Sequence, residues 1–482
     1  MINFRIIARI LSLVLIVEGI FLLLTTGISV VIDDGVTSSF LYSAIITLVT
    51  GIISFTPLKP DEKVYGNREG YIIVAATWVI FGIFGSLPFL FTGSADSFTD
   101  AFFETISGFT TTGATILTDI ESVPASVLLW RSLTQWIGGI GIILISLTVF
   151  PIIKSVNIQL AATEFSGQQA DKIQPRFIEA AKRLISIYIL LTGIQVLLLL
   201  LTGMTLFDAL CHSFSTLSTG GFSTKNKGIA AFSSPGIRIV LTLFMFIAGI
   251  NLPLVYFALK GNIKKIRGNH EFLFFCLLTA GFILISAVVL AVSNDFSIGK
   301  ALADSAFHVV SIISTTGYYT SDFTTWGSVM TMIIFILMFT GGTAGSTSGG
   351  IKIIRLSLIT LNYRKEMHRL IHPNAYIPVR IDNHVVTQGN IYNLLVFITL
   401  YFITICSSSF LISLMGYDIV TSFSTAASML ANIGPSLGEF GPFMNYGSMP
   451  DGGKIFLSGL MIIGRLEILT IMMLFSKSFY KH

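Results

Sequence analysis

Charged residues are scarce in this chain. They make up 11% of its 482 residues, whereas a soluble domain carries about 25%. Hydrophobic residues make up 53% of the chain, and the mean hydropathy is +0.82. This composition excludes a soluble globular fold, because there are too few polar side chains to cover a surface that faces water.

Cysteine is nearly absent as well. The three cysteines, Cys211, Cys276 and Cys406, are scattered in or beside apolar runs. An odd and unclustered set provides neither a disulfide framework nor a cysteine-ligated metal site.

The chain also lacks the sequence motifs of a membrane-embedded enzyme. It contains no HExxH, no GxSxG and no pair of aspartates inside an apolar run. It contains no nucleotide-binding motif either. We therefore expect no enzymatic activity and no organic cofactor in this chain.

The sequence consists largely of long apolar runs. Many reach or approach the roughly 20 residues that a helix needs to cross a bilayer. The first run is too long for a signal-peptide core and lacks a small-residue cleavage site, so the first two runs predict a retained helical hairpin. The predicted crossings lie near 10–32, 36–57, 71–92, 128–153, 184–203, 237–259, 271–293, 327–351, 388–416 and 454–476.

Lysine and arginine sort strongly to one side when alternate loops are assigned to opposite sides of the membrane. One side receives 22 of the 29 basic residues. By the positive-inside rule, that side is cytoplasmic and holds both termini.

Four polar segments lie between paired apolar runs on the outer side, and they align on a glycine. They are DAFFETISGFTTTGA (100–114), DALCHSFSTLSTGGF (208–222), DSAFHVVSIISTTGY (304–318) and TSFSTAASMLANIGP (421–435). Each has a helix-capping type of residue thirteen positions before the glycine and a serine six positions before it. The spacing predicts a re-entrant helix of about nine residues, too short to span, and then irregular chain. The predicted caps are Asp100, Asp208, Asp304 and Thr421, and the serines are Ser107, Ser215, Ser311 and Ser428.

The irregular parts of these segments, here called glycine loops 1 to 4 (110–114, 218–222, 314–318 and 431–435), are typical of an ion filter. Non-helical backbone at membrane depth is tolerated only where it is buried or lines a watery cavity. Four such loops around one axis would offer rings of carbonyl oxygens to a dehydrated alkali cation. The C-terminal ends of the short helices would add partial negative charge. The predicted ion-binding residues are Thr111, Thr112, Gly113, Thr219, Gly220, Gly221, Thr315, Thr316, Gly317, Asn432, Ile433 and Gly434.

A further stretch, GGTAGSTSGG (341–350), is here called the small-residue loop. Its five glycines in ten residues would disfavour a helix by roughly 5 kcal/mol relative to alanine. We expect it to cross the pore as a gate and to hold the guanidinium of Arg465, since a lone charge deep in the last apolar run is costly. Glu467 is expected to point away from Arg465. The predicted gate residues are Gly341, Gly342, Thr343, Ala344, Gly345, Ser346, Thr347, Ser348, Gly349, Gly350 and Arg465.

Other interpretations stay open at the level of sequence. The glycine loops would be ordinary extracellular loops if their common register were accidental, and the small-residue loop would be a close-packing patch. A secondary transporter with alternating access also keeps broken helices at midplane, but its repeats would be related by inversion. A structural scaffold leaves the fourfold register unexplained. His212 and His308 are expected to pack and hydrogen-bond near the loops, and Glu18 is expected to be an acid with a partner on another helix.

With these motifs, the chain resembles the Trk/Ktr/HKT superfamily of cation transporters, and within it the TrkH/TrkG-type potassium-uptake proteins. TTTGA, STGGFST, STTGY and ANIGPS stand where that family has its four filter segments, and the match covers about 65–482. The apolar hairpin before it is similar to the additional helix pair of the TrkH branch. Family members with serine at the first filter glycine tend to favour Na⁺, and Gly113 is present here. Glycine loop 4 departs most, since Ala431, Asn432 and Ile433 offer fewer hydroxyls.

The resemblance implies an all-α polytopic membrane protein with four M1–P–M2 repeats (helix, re-entrant pore helix, helix) in pseudo-fourfold arrangement. An N-terminal transmembrane hairpin (1–60) would precede pore repeats over 65–155, 176–262, 268–365 and 385–482, the third with a broken second helix. The implied function is channel-like K⁺ uptake across the bacterial inner membrane, with K⁺ held in the glycine loops. The alternative is a Na⁺/K⁺ transporter of low selectivity or a K⁺/H⁺ symporter. The implied partners are a second copy in a homodimer, a cytoplasmic nucleotide-binding subunit of the TrkA type and the lipid bilayer, with no nucleic acid.

Overall fold

A computed structural model of the protein describes residues 2–55, 67–148, 173–372, 378–382 and 384–480. The chain is mostly helical, at 73% of the described residues, as its apolar runs predict. The only strands in these ranges are β1 (Arg380–Ile381) and β2 (His384–Val385), which pair antiparallel.

The helices are numbered here in chain order through the described residues. The first part of the chain contains α1 (Phe4–Ile32), α2 (Thr37–Phe55), α3 (Asn67–Gly85), α4 (Leu87–Phe91), α5 (Phe98–Phe109), α6 (Ala125–Thr148), α7 (Ile173–Leu201) and α8 (Leu206–Leu217). The middle contains α9 (Pro235–Ala248), α10 (Leu252–Leu259), α11 (Ile263–Arg267), α12 (His270–Ser293), α13 (Ile298–Ile313) and α14 (Ser328–Leu337). The last part contains α15 (Ile353–Ile371), α16 (Gln388–Ser413), α17 (Ile419–Ala431), α18 (Asp451–Arg465), α19 (Ile468–Phe475) and α20 (Lys477–Tyr480).

Several helices are long and apolar enough to cross a membrane, so this is a multi-pass membrane protein. Among the described residues, 6 helices meet that description, or up to 8 if two bent helix pairs each count as one span. The predicted crossing at 128–153 corresponds to α6, and its end lies outside the described residues. The predicted crossing at 327–351 is only partly helical, because α14 has 10 residues and irregular chain follows it.

Two apolar runs that we predicted as continuous helices are broken. The run at 237–259 bends by 113° between α9 and α10, and the run at 454–476 bends by 112° between α18 and α19. The first break has a local cause, because Gly249 follows α9 and Pro253 in the first turn of α10 has no N–H to continue the helix. At the second break, Glu467 has a left-handed φ of 62°, which interrupts the helical path.

The predicted caps of the short helices are wrong. In α5, α8 and α17 the cap lies three residues earlier, and its side chain accepts a hydrogen bond from the backbone N–H of the predicted residue. An acid in the third helical position beside a capping hydroxyl is the pattern of a capping box, and it is also favoured by the helix dipole. Asp304 lies further inside α13, which begins at Ile298. The helices have 12, 12, 16 and 13 residues rather than about nine. The observed caps are Ser97, Thr205 and Asp418 in place of Asp100, Asp208 and Thr421.

Some predictions fall on chain outside the described residues. They include the ends of the predicted hairpin (1–60) and of the repeats at 65–155 and 385–482. They also include five of the basic residues assigned to the cytoplasmic side, Lys59, Lys63, Lys154, Lys172 and Lys481.

The N-terminal hairpin packs against the rest of the chain. Leu22 of α1 and Phe40 of α2 belong to the same buried apolar cluster as Phe109 of α5 and Met461 of α18. The outer face of α12, by contrast, leaves apolar side chains such as Leu277 exposed. A helix that is apolar all round and still exposed is typical of contact with lipid.

Candidate functional site

The four glycine loops begin in the same way, at the C-terminal ends of α5, α8, α13 and α17. In each loop, the residue two before the glycine and the glycine itself both have positive φ. The glycines Gly113, Gly221, Gly317 and Gly434 have φ values of 82°, 76°, 77° and 102°. In each loop, backbone N–H groups turn back onto the carbonyl oxygen of the predicted serine, for example from Thr112 to Ser107 at 2.9 Å. The common serine therefore acts through its backbone carbonyl in all four segments. Ser311 and Ser428 also donate from Oγ to the carbonyl oxygens of Tyr318 and Pro435, at 2.6 Å and 2.8 Å.

The loops meet one another in a closed order. A methyl group added at Gly113 would overlap the carbonyl oxygen of Gly220 in the next loop. The same relation continues around the set, each glycine lying against the residue that precedes the glycine of the following loop. The four contacts are Gly113 with Gly220, Gly221 with Thr316, Gly317 with Ile433, and Gly434 with Thr112. The predicted ion-binding residues thus come together in one ring, and all four glycines line the same cavity.

The fourth loop departs from the others in a way that joins it to the first. Asn432, which stands where the other loops have threonine, donates from Nδ2 to Thr112 Oγ1 at 3.0 Å and to the carbonyl oxygen of Met461 at 2.9 Å. The hydroxyl that this loop lacks is therefore replaced by a side-chain amide that connects glycine loops 4 and 1.

Side chains at equivalent positions on the four short helices hydrogen-bond to the chain that follows each glycine loop. The residues nine positions before the loop glycines are Glu104, His212, His308 and Thr425. Each of them hydrogen-bonds to a residue that lies two or three positions after the glycine of its own loop. His212 Nε2 lies 3.0 Å from Ser223 Oγ, and His308 Nε2 accepts from the Thr320 N–H at 3.4 Å. The two histidines have the packing and hydrogen-bonding role that we predicted. No cluster of three or more metal-ligating side chains occurs in the described part of the chain.

A buried ion pair beside glycine loop 1 was missed at the level of sequence. Arg131 of α6 donates from Nε to the Glu104 carboxylate at 2.7 Å, and both side chains are almost fully buried. The guanidinium also donates to the carbonyl oxygen of Ser223 at 3.2 Å and lies 4.1 Å from the ring centre of Phe222. It therefore connects α5, which leads into glycine loop 1, to the end of glycine loop 2 and the chain that follows it. Arg131 lies at the edge of an apolar run, where a basic residue is common and gives no signal of a buried ion pair.

The small-residue loop is irregular, as predicted, and it contacts the glycine loops directly. The backbone N–H of Gly349 donates to Thr315 Oγ1 of glycine loop 3 at 2.7 Å, and Thr347 Oγ1 donates to the carbonyl oxygen of Leu217 at 2.9 Å. A methyl group at Gly349 would overlap the carbonyl oxygen of Ala431. The small-residue loop thus lies against glycine loops 3 and 4 and against the C-terminal end of α8, which leads into glycine loop 2. Close backbone approach requires glycine at Gly349.

Arg465 makes the contact that we predicted for it. Its Nη1 donates to the carbonyl oxygen of Thr347 at 2.7 Å, and the side chain is 3% exposed. Arg465 is the last residue of α18, at the helix break, rather than the middle of a continuous helix. Glu467 pairs with Arg355 at 2.6 Å, so it does not neutralise Arg465.

One buried acid departs from its prediction, and a second one has a role that the sequence did not predict. Neither carboxylate oxygen of the buried Glu18 has a hydrogen-bond partner in the described chain, so the predicted partner on another helix is absent there. Glu271, which the sequence did not single out, accepts from the backbone N–H of Ala344 at 2.6 Å and of Ile354 at 3.2 Å. Glu271 therefore holds the small-residue loop at one side, and its only sequence signal is an acid at the start of an apolar run.

Comparison with known proteins decides the family. The model of the TrkH family, described as a cation transport protein, matches residues 37–481. This chain belongs to the TrkH family. It is 37% identical over 482 residues to the Trk system potassium uptake protein TrkH of Halomonas elongata, covering 99% of this chain and 100% of that protein. It is 34% identical to the protein of the same name in Escherichia coli, with the same coverage of both chains.

A solved structure agrees with the TrkH fold throughout. The crystal structure of the potassium transporter TrkH from Vibrio parahaemolyticus has a TM-score of 0.91 and 31% identity, and the match covers 100% of both chains. The TrkH-family relatives carry the names of transport proteins, as expected for a chain without enzyme motifs.

Proposed function

We propose that this TrkH-family protein takes up K⁺ through a filter built from the four glycine loops. The observation that carries the proposal is the closed ring, in which each loop glycine lies against the backbone carbonyl of the next loop. The names of the relatives, as Trk system potassium uptake proteins, support K⁺ as the cation.

The chemistry of the ring suits a monovalent cation that has lost its water. Backbone carbonyl oxygens replace a hydration shell without adding a full negative charge, so that an ion can both enter and leave. The helices α5, α8, α13 and α17 all end at the ring, and helix C-termini carry partial negative charge. The left-handed φ of residues such as Thr111 and Gly113 turns successive peptide groups away from the helical direction. In our proposal, this turn lets the carbonyls of glycine loop 1 face the ion.

The chain organisation in this proposal is fourfold. Each pore repeat (65–155, 176–262, 268–365 and 385–482) supplies a spanning helix, a short helix with its glycine loop, and a second helix, and the hairpin (1–60) packs outside them. The protein lies in the bacterial inner membrane with both termini in the cytoplasm. It works as a homodimer with a cytoplasmic nucleotide-binding subunit of the TrkA type.

The small-residue loop acts in this proposal as the gate. It lies against glycine loop 3 through Gly349, and it receives the Arg465 guanidinium at Thr347. A buried guanidinium in a cation path raises the barrier to conduction by charge repulsion. Opening would require the small-residue loop to release Arg465 and to move away from the glycine loops at the same time.

Ion flux into liposomes that contain the purified protein tests the proposal. We expect uptake of K⁺ and Rb⁺ to exceed that of Na⁺ and Li⁺, because the ring replaces hydration best for the larger and more weakly hydrated ions. Empty liposomes give the background. Uptake of all four ions at background level, in folded preparations of both the unmodified protein and Arg465→Ala, would contradict the proposed function, because the variant lacks the proposed barrier.

A further inference from the structure

Glycine loop 2 differs from its counterparts at the residue before the ring glycine. Glycine loops 1 and 3 have Thr112 and Thr316 there, and each hydroxyl hydrogen-bonds to a second hydroxyl two residues earlier, at 2.8 Å in both loops. Glycine loop 2 has Gly220 at this position and therefore offers no side chain. Something else has to occupy the space behind this part of the ring, because buried backbone is closely packed.

The side chain of Gln135 occupies that space. Gln135 lies on α6 and is fully buried. Its Nε2 donates to the Gly220 carbonyl oxygen at 2.7 Å, and its Oε1 accepts from the Phe222 N–H at 3.2 Å. The two bonds fall on either side of Gly221. A methyl group at Gly220 would overlap the Gln135 amide, so the absent side chain and the glutamine fit each other.

The bond to Gly220 makes one side of the ring chemically distinct. In the described part of the chain, no protein donor reaches the corresponding carbonyl oxygens of Thr112, Thr316 or Ile433. A carbonyl that already accepts a hydrogen bond attracts a cation less strongly, and its oxygen is less free to move inward around a small ion. Both effects favour a large, weakly hydrated cation over a small one.

We propose that Gln135 is a positioning residue for ion specificity, and that its amide sets the direction and strength of the Gly220 carbonyl. This inference rests on the proposed function, since it needs the glycine loops to be the filter. The claim is limited to discrimination between cations, and it assigns Gln135 no direct contact with the ion.

Replacing Gln135 by methionine removes the amide that donates to Gly220 and nearly preserves the length of the side chain. The variant therefore tests the hydrogen bond separately from side-chain packing. We expect the ratio of Na⁺ to K⁺ uptake into liposomes to rise about 3- to 10-fold in Gln135→Met, the factor that one ordinary hydrogen bond represents. The matched control is Gln195→Met, because Gln195 on α7 is equally buried and its amide has no hydrogen-bond partner in the described residues. The control is expected to keep the ratio of the unmodified protein.

A variant on the loop side makes the test independent of how α6 tolerates substitution. Gly220→Ala would push the Gln135 amide from its place, so it should shift the ratio in the same direction. If Gln135→Met cannot be reconstituted as folded protein, the result for Gly220→Ala decides. An unchanged ratio in the folded variants, with the unmodified protein conducting K⁺, would overturn the inference and leave the proposed function standing. Absence of K⁺ uptake by both the unmodified protein and Arg465→Ala would instead overturn the proposed function.

Discussion

Gly113 shows how one missing side chain shapes the ring. It combines a left-handed φ of 82° with contact against the Gly220 carbonyl oxygen, so a larger residue is both strained and obstructed. The strain alone costs about 1–2 kcal/mol for a residue with a β-carbon. The same pair of constraints holds at the other three ring glycines, which explains why glycine recurs there when the neighbouring residues vary.

Gly113→Ser should therefore reduce the discrimination of K⁺ over Na⁺. We expect a clear loss of selectivity, because the added side chain would displace the Gly220 carbonyl oxygen, and weaker growth of a potassium-uptake-deficient strain on low K⁺. Gly281→Ser on α12 is a matched control, because a side chain there meets nothing within 4 Å. Unchanged selectivity in single variants of all four ring glycines would count against a filter of carbonyl groups.

The ion pair between Glu104 and Arg131 contributes to stability at the residue scale. Removing one partner of a buried pair leaves the other charge uncompensated, which costs about 3–5 kcal/mol. We expect Glu104→Gln to lower the melting temperature in detergent clearly, and the double variant Glu104→Gln/Arg131→Gln to lower it less.

An exposed pair provides the control for that measurement. Glu179 and Arg183 lie 3.3 Å apart, but their side chains are 67% and 61% exposed. Surface pairs contribute little, so Glu179→Gln should leave the melting temperature unchanged. Equal losses in Glu104→Gln and Glu179→Gln would contradict the structural role of the buried pair.

At the scale of helices and loops, the sequence predicted those features that depend on residues close together in the chain. Five glycines in ten residues identified the small-residue loop as non-helical, and the common spacing of serine and glycine identified four short helices with loops. The register of the caps was wrong because Asp100 and Asp208 are as favourable three residues inside a helix as at its cap. Gly249 and Pro253 are residues that interrupt helices, so the sequence did indicate the break after α9. They lie inside a long apolar run, which led us to predict one continuous helix.

The break after α18 had no comparable signal. Leu466 and Glu467 are compatible with a helix, and the bend arises where α18 meets other parts of the chain. A methyl group at Gly464 would overlap the carbonyl oxygen of Leu430, and Glu467 reaches Arg355 on α15. Contacts of this kind join residues that are distant in sequence, so one sequence alone could not predict them. The pairing of Gln135 with Gly220 escaped prediction for the same reason.

The gate proposal makes its prediction at this scale. Arg465→Ala, or shortening 343–347, should raise K⁺ flux and leave the preference among cations largely unchanged, because both remove the barrier and spare the ring. The charge-matched control is Arg364→Ala on the exposed face of α15. Flux at the level of the unmodified protein in both gate variants, with normal expression and folding, would remove the gate hypothesis.

For the whole molecule, the arrangement explains how so apolar a chain can hold a polar path. The spanning helices expose apolar side chains outward, and many of the buried polar groups lie in and around the glycine loops and the small-residue loop. The structure also connects the filter and gate candidates without an intermediate, through Gly349 and Thr315. A substitution at either residue of this contact is therefore expected to affect both loops, whereas Arg465→Ala leaves the contact in place.

The position of a bound cation tests the ring most directly. Rb⁺ is a close substitute for K⁺ that can be located by its anomalous scattering, so crystals of this protein grown with Rb⁺ would show where the ion binds. We predict a peak enclosed by glycine loops 1 to 4, within coordination distance of backbone carbonyl oxygens from each loop. Rb⁺ found only elsewhere in a protein that transports K⁺, with the ring empty, would contradict a filter made of these four loops.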